Sequence, residues 1–332
     1  MTRYFCTYFD KNYLIQAATL FRSLDDCCQE FKFFPLCLDK DSHALMQQWA
    51  AIDSRIHPIA LAALESWETK LLEAKNNRSR IEYYFTLSPV LPLYIMDQFE
   101  VDIITYLDAD LFFFSSPDCL YRELGEASIL ITAHRFSEEL KKYETYGLFN
   151  VQYQSFRNDD QGRECLTLWR DQCLAWCYDC LEDGKYADQK YLDDWPSLYD
   201  RLVISKLKGV GVACWNVHGN QFSKVDGHPI VEGEPLIFYH YHGFKRLAKN
   251  WGKTGLGIIH AEINKTGKQI LFSGYLAALQ STEVFLKSHF NYSITHFLST
   301  DTRTRSSWLH TVGSAIKYMD LYYSFPLFFG RR

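Results

Sequence analysis

The residues best suited to chemistry are two aspartates, Asp108 and Asp110, separated by Ala109. They lie between two apolar segments, residues 103–107 and 111–114. Burying two carboxylates between such flanks costs free energy unless a positive charge compensates. A divalent cation supplies that charge, and oxygen ligands suit Mg²⁺ or Mn²⁺, which commonly bind together with a substrate diphosphate. The pair therefore predicts a Mg²⁺ or Mn²⁺ site, and the alternative is a loop with one capping aspartate.

A second pair of the same form, Asp39 and Asp41, lies in a polar stretch before a helix. There the pattern predicts a solvated loop or a helix N-cap rather than a metal site. A phosphatase of the haloacid dehalogenase type would need Thr or Val two residues after the second aspartate of its pair. After Asp110 that position is Phe112, which argues against such a phosphatase.

Two further segments could complete the site. His240 and His242 close an apolar strand, residues 236–241, and Lys245 follows them. An imidazole can complete a carboxylate metal site, and a lysine can neutralise a phosphate. Asp188 and Gln189 open a polar helix start, for which the alternative role is an N-cap.

Four cysteines, at positions 165, 173, 177 and 180, continue a helical apolar pattern and lack a second pair at zinc-site spacing. They are therefore predicted to be small buried residues, which is common for cysteine.

The elements that must position these residues alternate between strands and helices. Strands are predicted at residues 4–9, 31–38, 101–107, 128–132, 148–156 and 236–241. Helices are predicted over residues 14–24, 44–51, 61–74 and 162–181, with another that begins at Ser88-Pro89. This alternation predicts an α/β fold with a mainly parallel sheet flanked by helices. Beyond residue 241 the sequence is predicted to be mostly helical.

Composition excludes several classes of protein. The chain has 332 residues, of which 47% are hydrophobic and 23% charged, so it is too apolar for a disordered chain. Its net charge of −5 argues against a general nucleic-acid binder. The sequence has no apolar run long enough to span a bilayer, and its N-terminus does not resemble a signal peptide. These features predict a cytoplasmic protein whose ten cysteines are mostly reduced.

The C-terminal region allows two interpretations. Apolar residues from Trp308 to Met319 share one helical face, aromatic residues follow, and arginines flank both ends. A helix of this kind either packs on the core or lies at a membrane surface. The second interpretation predicts peripheral contact with the inner face of a membrane through residues 303–332. The predicted division is a catalytic domain over residues 1–250 and a helical extension over residues 251–332.

Five segments, taken in order, resemble the motifs of nucleotide-sugar glycosyltransferases with the GT-A fold. The similarity is greatest to the retaining galactosyltransferase and glycogenin group, and it spans about residues 3 to 250. The segments are residues 5–13, 106–110, 149–151, 186–189 and 240–243. The resemblance implies a Rossmann-like GT-A domain and transfer of a hexose-type sugar from a UDP-sugar with retention of configuration. It also implies an acceptor that is a glycan or a lipid-linked oligosaccharide, as in polysaccharide biosynthesis.

The same resemblance implies a role for each matching residue. The base and ribose would be bound by Thr7, Tyr8 and Asp10, and the diphosphate would be faced by Asp108, Ala109 and Lys245. The ion would be held by Asp108, Asp110 and His240. The donor sugar would be bound by Asn150, Asp188 and Gln189, the last two of which would lie at the reacting carbon.

The chain departs from the family pattern at three places. It has Thr86 where the family has an arginine, for which Arg78 or Arg80 is a candidate replacement. It has Gln152 where the family has a glycine, and Lys245-Arg246 where the family has Lys-Pro-Trp. These departures bear on the identity of the sugar. They also support an alternative function, a protein of the same fold that binds a nucleotide sugar without transferring it.

Overall fold

The structure is a computed structural model that describes residues 2–248, 250–258, 261–292 and 321–323. The strands are β1 Arg3–Phe9, β2 Phe31–Cys37, β3 Ile59–Ala60, β4 Ile103–Leu107, β5 Leu111–Phe113, β6 Ile129–Ala133, β7 Phe149–Arg157, β8 Leu202–Ile204, β9 Val212–Ala213, β10 Phe222–Val225, β11 His228–Val231, β12 Glu234–Pro235, β13 Phe238–His240, β14 Lys245–Ala248, β15 Trp251–Lys253 and β16 Leu321–Tyr323. The α-helices are α1 Leu14–Cys27, α2 Lys40–Ala50, α3 Leu61–Trp67, α4 Lys70–Asn77, α5 Arg80–Gln98, α6 Asp118–Leu124, α7 Asp160–Ala175, α8 Trp195–Leu198, α9 Lys265–Lys268 and α10 Gly274–Phe290. Short 3₁₀ segments cover Glu138–Tyr146, Lys190–Asp194 and Leu256–Ile258, and a π-helical turn covers Gln269–Ser273.

A central sheet of seven strands has the order β3-β2-β1-β4-β7-β6-β8. Only β7 runs antiparallel to its neighbours, β4 and β6, and the other pairings are parallel. A smaller sheet, β5-β13-β9, begins directly after β4. The predicted α/β class with a mainly parallel, helix-flanked sheet is confirmed.

The core lies on both faces of the central sheet. Along β1, Phe5 and Phe9 pack into one hydrophobic cluster with α1, whereas Cys6 packs into the opposite cluster with α5. This alternation follows from the two-residue period of a strand. Helix α10 joins the first cluster, where the Thr19 hydroxyl donates to the Thr282 hydroxyl at 3.0 Å.

Several predicted boundaries were wrong. Helix α5 begins at Arg80 rather than at Ser88-Pro89, because Ser79 and Glu82 form a capping box that satisfies two backbone N–H groups. Both prolines, Pro89 and Pro92, lie inside this helix. The helix predicted over residues 61–74 is two helices, α3 and α4, and α7 ends at Ala175 instead of residue 181.

The region after residue 241 is less helical than predicted, since β14 and β15 precede α9 and α10. Except for residues 321–323, the proposed membrane-facing tail lies outside the described residues. In the part of the chain that the structure describes, no helix combines the length and apolar character needed to cross a bilayer.

Candidate active site

The two aspartates of the predicted metal site lie in the turn between β4 and β5. Strand β5 pairs with β13, which places His240 opposite Leu111, and the backbone N–H of Tyr241 donates to the Asp110 carbonyl at 3.0 Å. Residues far apart in sequence are thus brought together by strand pairing. The site lies beyond the carboxyl end of β4, the edge where open α/β sheets commonly bind ligands.

Asp108, Asp110 and His240 form a compact group. Nε2 of His240 lies 3.0 Å from Oδ1 of Asp110 and 3.6 Å from Oδ2 of Asp108. One ligand atom from each residue lies within 4.8 Å of the others. Among the described residues, this is the group of three or more His, Cys, Asp or Glu side chains that could hold a metal ion. Tyr106 supports it by donating its hydroxyl proton to Oδ1 of Asp108 at 3.0 Å.

Burial and mutual charge set the protonation of the group. Burial raises the pKa of Asp108 to about 6; His240 lowers it in part and the neighbouring Asp110 raises it further. Burial also raises the pKa of Asp110, but the charge and hydrogen bond of His240 outweigh this, so the net shift is downward. For His240 burial lowers the pKa, while the two carboxylates raise it by more. The cluster therefore favours positive charge at its centre.

The donor set fits a hard divalent cation. Two carboxylates and one imidazole suit Mn²⁺ and Mg²⁺, which prefer oxygen-rich coordination. Ligands on opposite sides of such an ion are about 4.2 Å apart, given metal–oxygen distances of about 2.1 Å. A spread of 4.8 Å between the three ligand atoms requires only small side-chain adjustments to reach that geometry.

His242 lies beyond the end of β13 and is exposed, so the two histidines do not share a strand as predicted.

Asp188 approaches the same region from the loop after α7. Its side chain is buried and interacts with the hydroxyl of Ser88, which lies on α5. Burial raises the pKa of Asp188 to about 7; the Ser88 hydrogen bond lowers it and the charge of Asp108 adds to the rise. The half-buried carboxylate of Asp108 and the buried carboxylate of Asp188 are thus close enough to influence each other.

Backbone contacts fix the position of Asp188 and Gln189. The indole N–H of Trp169 donates to the Asp188 carbonyl at 2.8 Å, and Nε2 of Gln189 donates to the Tyr146 carbonyl at 3.0 Å. The following 3₁₀ segment begins at Lys190, and Gln189 precedes it without a side-chain capping bond. Asp188 is therefore not the N-cap residue of that segment.

The residues predicted to bind the nucleotide lie at the carboxyl end of β1. Thr7 is fully buried, and the Tyr8 hydroxyl lies 3.3 Å from that of Ser88. Asp10 accepts hydrogen bonds from the backbone and side-chain amides of Asn12 at 2.9 and 3.0 Å. Lys245 is exposed at the start of β14. Tyr8 and Asp188 influence each other electrostatically, so the end of β1 borders the carboxylate site.

Asn150 is the predicted sugar-binding residue on β7, and its amide is already engaged. Its Nδ2 lies 2.8 Å from Nε2 of His134, and its Oδ1 accepts the backbone N–H of Gln152 at 2.9 Å. Burial lowers the pKa of His134 to about 3, so its ring is neutral and Nε2 can accept from Asn150. His134 was not predicted from sequence, because nothing in its local pattern indicates the contact.

Arg78 occupies the neighbourhood of Thr86, where the family pattern has an arginine. Its guanidinium donates to the Thr86 hydroxyl and to the carbonyls of Cys173 and Leu174, the last two at 2.7 Å. Those carbonyls belong to the final turn of α7, which lacks intrahelical donors. Arg80, the other candidate replacement, is exposed. Arg78 therefore closes the end of α7 from which the Asp188 loop departs.

Replacement of Arg78 by methionine should destabilise the protein by about 3 kcal/mol, because buried carbonyls lose charge-assisted hydrogen bonds. Urea unfolding followed by circular dichroism measures this loss. Arg80→Met, which changes an exposed arginine two residues away, should shift stability by less than about 0.5 kcal/mol. Equal stabilities of the two variants would contradict the capping role of Arg78.

All ten cysteines are free thiols. The predicted burial is confirmed for Cys165, Cys173 and Cys177 and was wrong for Cys180, which is exposed and lies beyond the end of α7 at Ala175. Burial raises the pKa of Cys165 and Cys173 well above the ordinary thiol value. They behave as small apolar residues and take no part in the Asp-Asp-His group.

A mixed α/β sheet with an aspartate pair and a histidine at one edge is the arrangement that the predicted GT-A resemblance requires. The chain belongs to the same family as YfnF, an uncharacterized protein of Bacillus subtilis strain 168. The two are 33% identical over 259 residues, which cover 75% of this chain and 84% of YfnF. A second uncharacterized protein of that organism, YfnD, is 29% identical over 249 residues, or 73% of this chain and 78% of YfnD. No protein-family model matches the sequence.

The solved structures that resemble this chain include several glycosyltransferases. The galactosyltransferase LgtC, in complex with donor and acceptor sugar analogs, matches with a TM-score of 0.49 and 14% identity, covering 72% of this chain and 87% of LgtC. Mouse xyloside xylosyltransferase 1 matches with a TM-score of 0.46 and 16% identity, covering 72% of this chain and 97% of that chain. GlyE of Streptococcus pneumoniae TIGR4 matches with a TM-score of 0.40 and 18% identity, covering 62% and 45%.

Proposed function

We propose that this chain is a metal-dependent glycosyltransferase that uses a nucleotide diphosphate sugar, with UDP as the nucleotide. The observation that supports this most strongly is the group of Asp108, Asp110 and His240 beside the buried Asp188. A carboxylate-rich cation site suits a diphosphate ligand, and a second carboxylate nearby suits a sugar that gains positive charge. The proposal rests on these side chains.

Each group has a proposed task. Asp108, Asp110 and His240 would hold Mn²⁺ or Mg²⁺, which when bound acts as a Lewis acid toward the departing diphosphate. Thr7, Tyr8 and Asp10 would bind the nucleoside, and Ala109 and Lys245 would face the phosphates. Asn150 and Gln189 would orient the donor sugar. Asp188 would stabilise the positive charge that develops on that sugar as its bond to phosphate breaks.

The remaining features of the reaction follow from the motif resemblance. We propose a retaining transfer of a hexose-type sugar to a glycan or lipid-linked acceptor in polysaccharide biosynthesis.

The proposed location is the cytoplasm, with residues 303–332 bringing the enzyme to the inner face of a membrane. Deletion of residues 320–332 should then release the protein from anionic vesicles in a sedimentation assay, without slowing turnover on a soluble acceptor. Unfolding of the shortened protein would instead support packing of the tail on the core.

A panel of nucleotide sugars tests the proposed activity. The protein is incubated with Mn²⁺, each donor and a mixture of glycan acceptors, and released nucleotide is measured. We expect one UDP-sugar to give nucleotide release that stops on addition of a chelator and resumes with excess Mn²⁺. Tight UDP-sugar binding by calorimetry, without release for any donor and acceptor, would favour the non-catalytic binding protein. Absence of both would overturn the proposal.

A further inference from the structure

Gln152 contacts the Asp-Asp-His group through both its backbone and its side chain. It lies on β7 and its side chain is fully buried. The backbone carbonyl accepts the N–H of Asp108 at 3.0 Å. The side-chain oxygen Oε1 lies 3.0 Å from Nδ1 of His240, on the side of the ring away from the aspartates. Gln152 therefore contacts one residue of each half of the site.

The surroundings of the Gln152 amide support one orientation. Its Nε2 donates to the hydroxyl of Thr132 at 3.4 Å, which leaves Oε1 to face His240. Gly211 packs against the same nitrogen with a φ of +66°, and a Cβ at that position would lie 3.0 Å from it. Glycine suits this position because it adopts a positive φ without strain and has no Cβ to crowd the Gln152 amide. The amide is thus held in a fitted recess rather than left free to rotate.

This orientation determines which nitrogen of His240 is available to a cation. An amide oxygen accepts hydrogen bonds, so Nδ1 must be the protonated nitrogen in this contact. The other nitrogen, Nε2, faces the two aspartates at 3.0 and 3.6 Å. A histidine that binds a metal through one nitrogen commonly donates the proton of the other to an acceptor, which fixes its ring and tautomer.

We propose that Gln152 is a positioning residue that holds His240 in the Nδ1-protonated form and aims Nε2 at the cation. The inference rests on the proposed metal site. Gln152 touches neither the cation nor the substrate in this proposal. It acts by removing the tautomer in which Nε2 is blocked by a proton, and by preventing rotation of the ring away from Asp110.

Replacement of Gln152 by methionine preserves length and removes the hydrogen-bond acceptor. We expect Gln152→Met to weaken Mn²⁺ binding by about 10-fold or more in the presence of UDP, as is typical for loss of such a partner. Electron paramagnetic resonance of free Mn²⁺ measures the affinity without relying on turnover. Gln154→Met is the matched control, because Gln154 is equally buried on the same strand and its amide makes no hydrogen bond among the described residues. It should change Mn²⁺ affinity less than twofold. Equal affinities of a folded Gln152→Met variant and the wild type would overturn the inference.

A second measurement does not depend on any variant folding. Long-range ¹H–¹⁵N correlation spectra of wild-type protein labelled at histidine, recorded with Mg²⁺ and UDP, identify the protonated ring nitrogen of His240. A proton on Nδ1 supports the inference, and a proton on Nε2 overturns it even if Gln152→Met proves unstable. If wild-type protein binds no Mn²⁺ at all, the proposed metal site fails. The same spectra of the ion-free protein at alkaline pH then still test the contact between Gln152 and His240.

Discussion

Replacement of Asp110 by alanine should reduce sugar transfer by about 10³-fold or more, equivalent to about 4 kcal/mol of transition-state stabilisation. Asp110 offers a carboxylate oxygen 3.0 Å from Nε2 of His240, and its backbone is fixed by pairing with β13. Water can replace the ligand atom but not its negative charge, so affinity for Mn²⁺ should fall together with turnover. Nucleotide release and Mn²⁺ binding by paramagnetic resonance measure the two losses separately.

The Asp110→Ala protein should still fold. In the ion-free site Asp110 contributes to the raised pKa of Asp108, so its removal relieves repulsion between two half-buried carboxylates. That relief opposes the loss of the hydrogen bond to His240. We therefore expect a thermal unfolding midpoint close to that of the wild type. A variant that lost activity only because it unfolded would show a much lower midpoint.

The other aspartate pair provides a matched control. Asp39 itself is unsuitable, because it is the N-cap of α2 and also accepts the backbone N–H of Lys11 at 2.6 Å. Asp41 is better suited, since its side chain is 71% exposed and its Oδ2 lies as far as 3.6 Å from Nζ of Lys11. Asp41→Ala should leave transfer and Mn²⁺ binding within twofold of wild type. Equal damage from Asp41→Ala and Asp110→Ala would contradict the assignment of the metal site.

The sequence was sufficient to predict the fold class and to select Asp108, Asp110 and His240, which the structure brings together in one group. Asp108 and Asp110 interrupt an apolar run, and such a run must be buried, so the local sequence predicts compensation by a cation. His240 ends another apolar strand, and strand ends in α/β proteins meet at one edge. The assignment of Asp39 to a helix N-cap is also confirmed. Each of these inferences depends on a pattern within about ten residues, except the choice of His240 over His242, which the motif resemblance implied.

Features that depend on contacts between distant segments were not predictable in this way. The start of α5 was misplaced because Ser88-Pro89 resembles a helix start, while the capping box at Ser79 determines the actual boundary. Arg78 could not be placed from sequence, because its partners at Cys173 and Leu174 are brought near by packing of α7. Successive side chains of a strand point to opposite faces, so Asn150 and Gln152 lie on the same face of β7. This spacing could have associated Gln152 with the site.

Asp188→Asn should slow transfer by about 10²-fold or more while changing affinity for UDP by less than a few-fold. The substitution keeps the size of the side chain, removes its charge and replaces one acceptor oxygen with an amide donor. An interaction that strengthens in the transition state appears in turnover, whereas uniform binding appears in affinity. Asp188 lies near Ser88 and influences Asp108, so its charge is available where the proposed donor sugar would react. Single-turnover rates and calorimetric titration with UDP measure the two effects.

The pH dependence distinguishes a charge effect from a structural one. Burial raises the pKa of Asp188 to about 7, and the protonated carboxyl cannot stabilise positive charge. Wild-type turnover should therefore fall as pH decreases through the pKa of Asp188, and Asp188→Asn should lack the part of this fall that Asp188 causes. Asp193→Asn is a suitable comparison, because Asp193 accepts the backbone N–H of Leu148 and pairs with Lys190 on the adjacent 3₁₀ segment. It should retain the wild-type pH profile. A wild-type profile in Asp188→Asn, or loss of UDP binding together with turnover, would mean that Asp188 only supports the loop in which it lies.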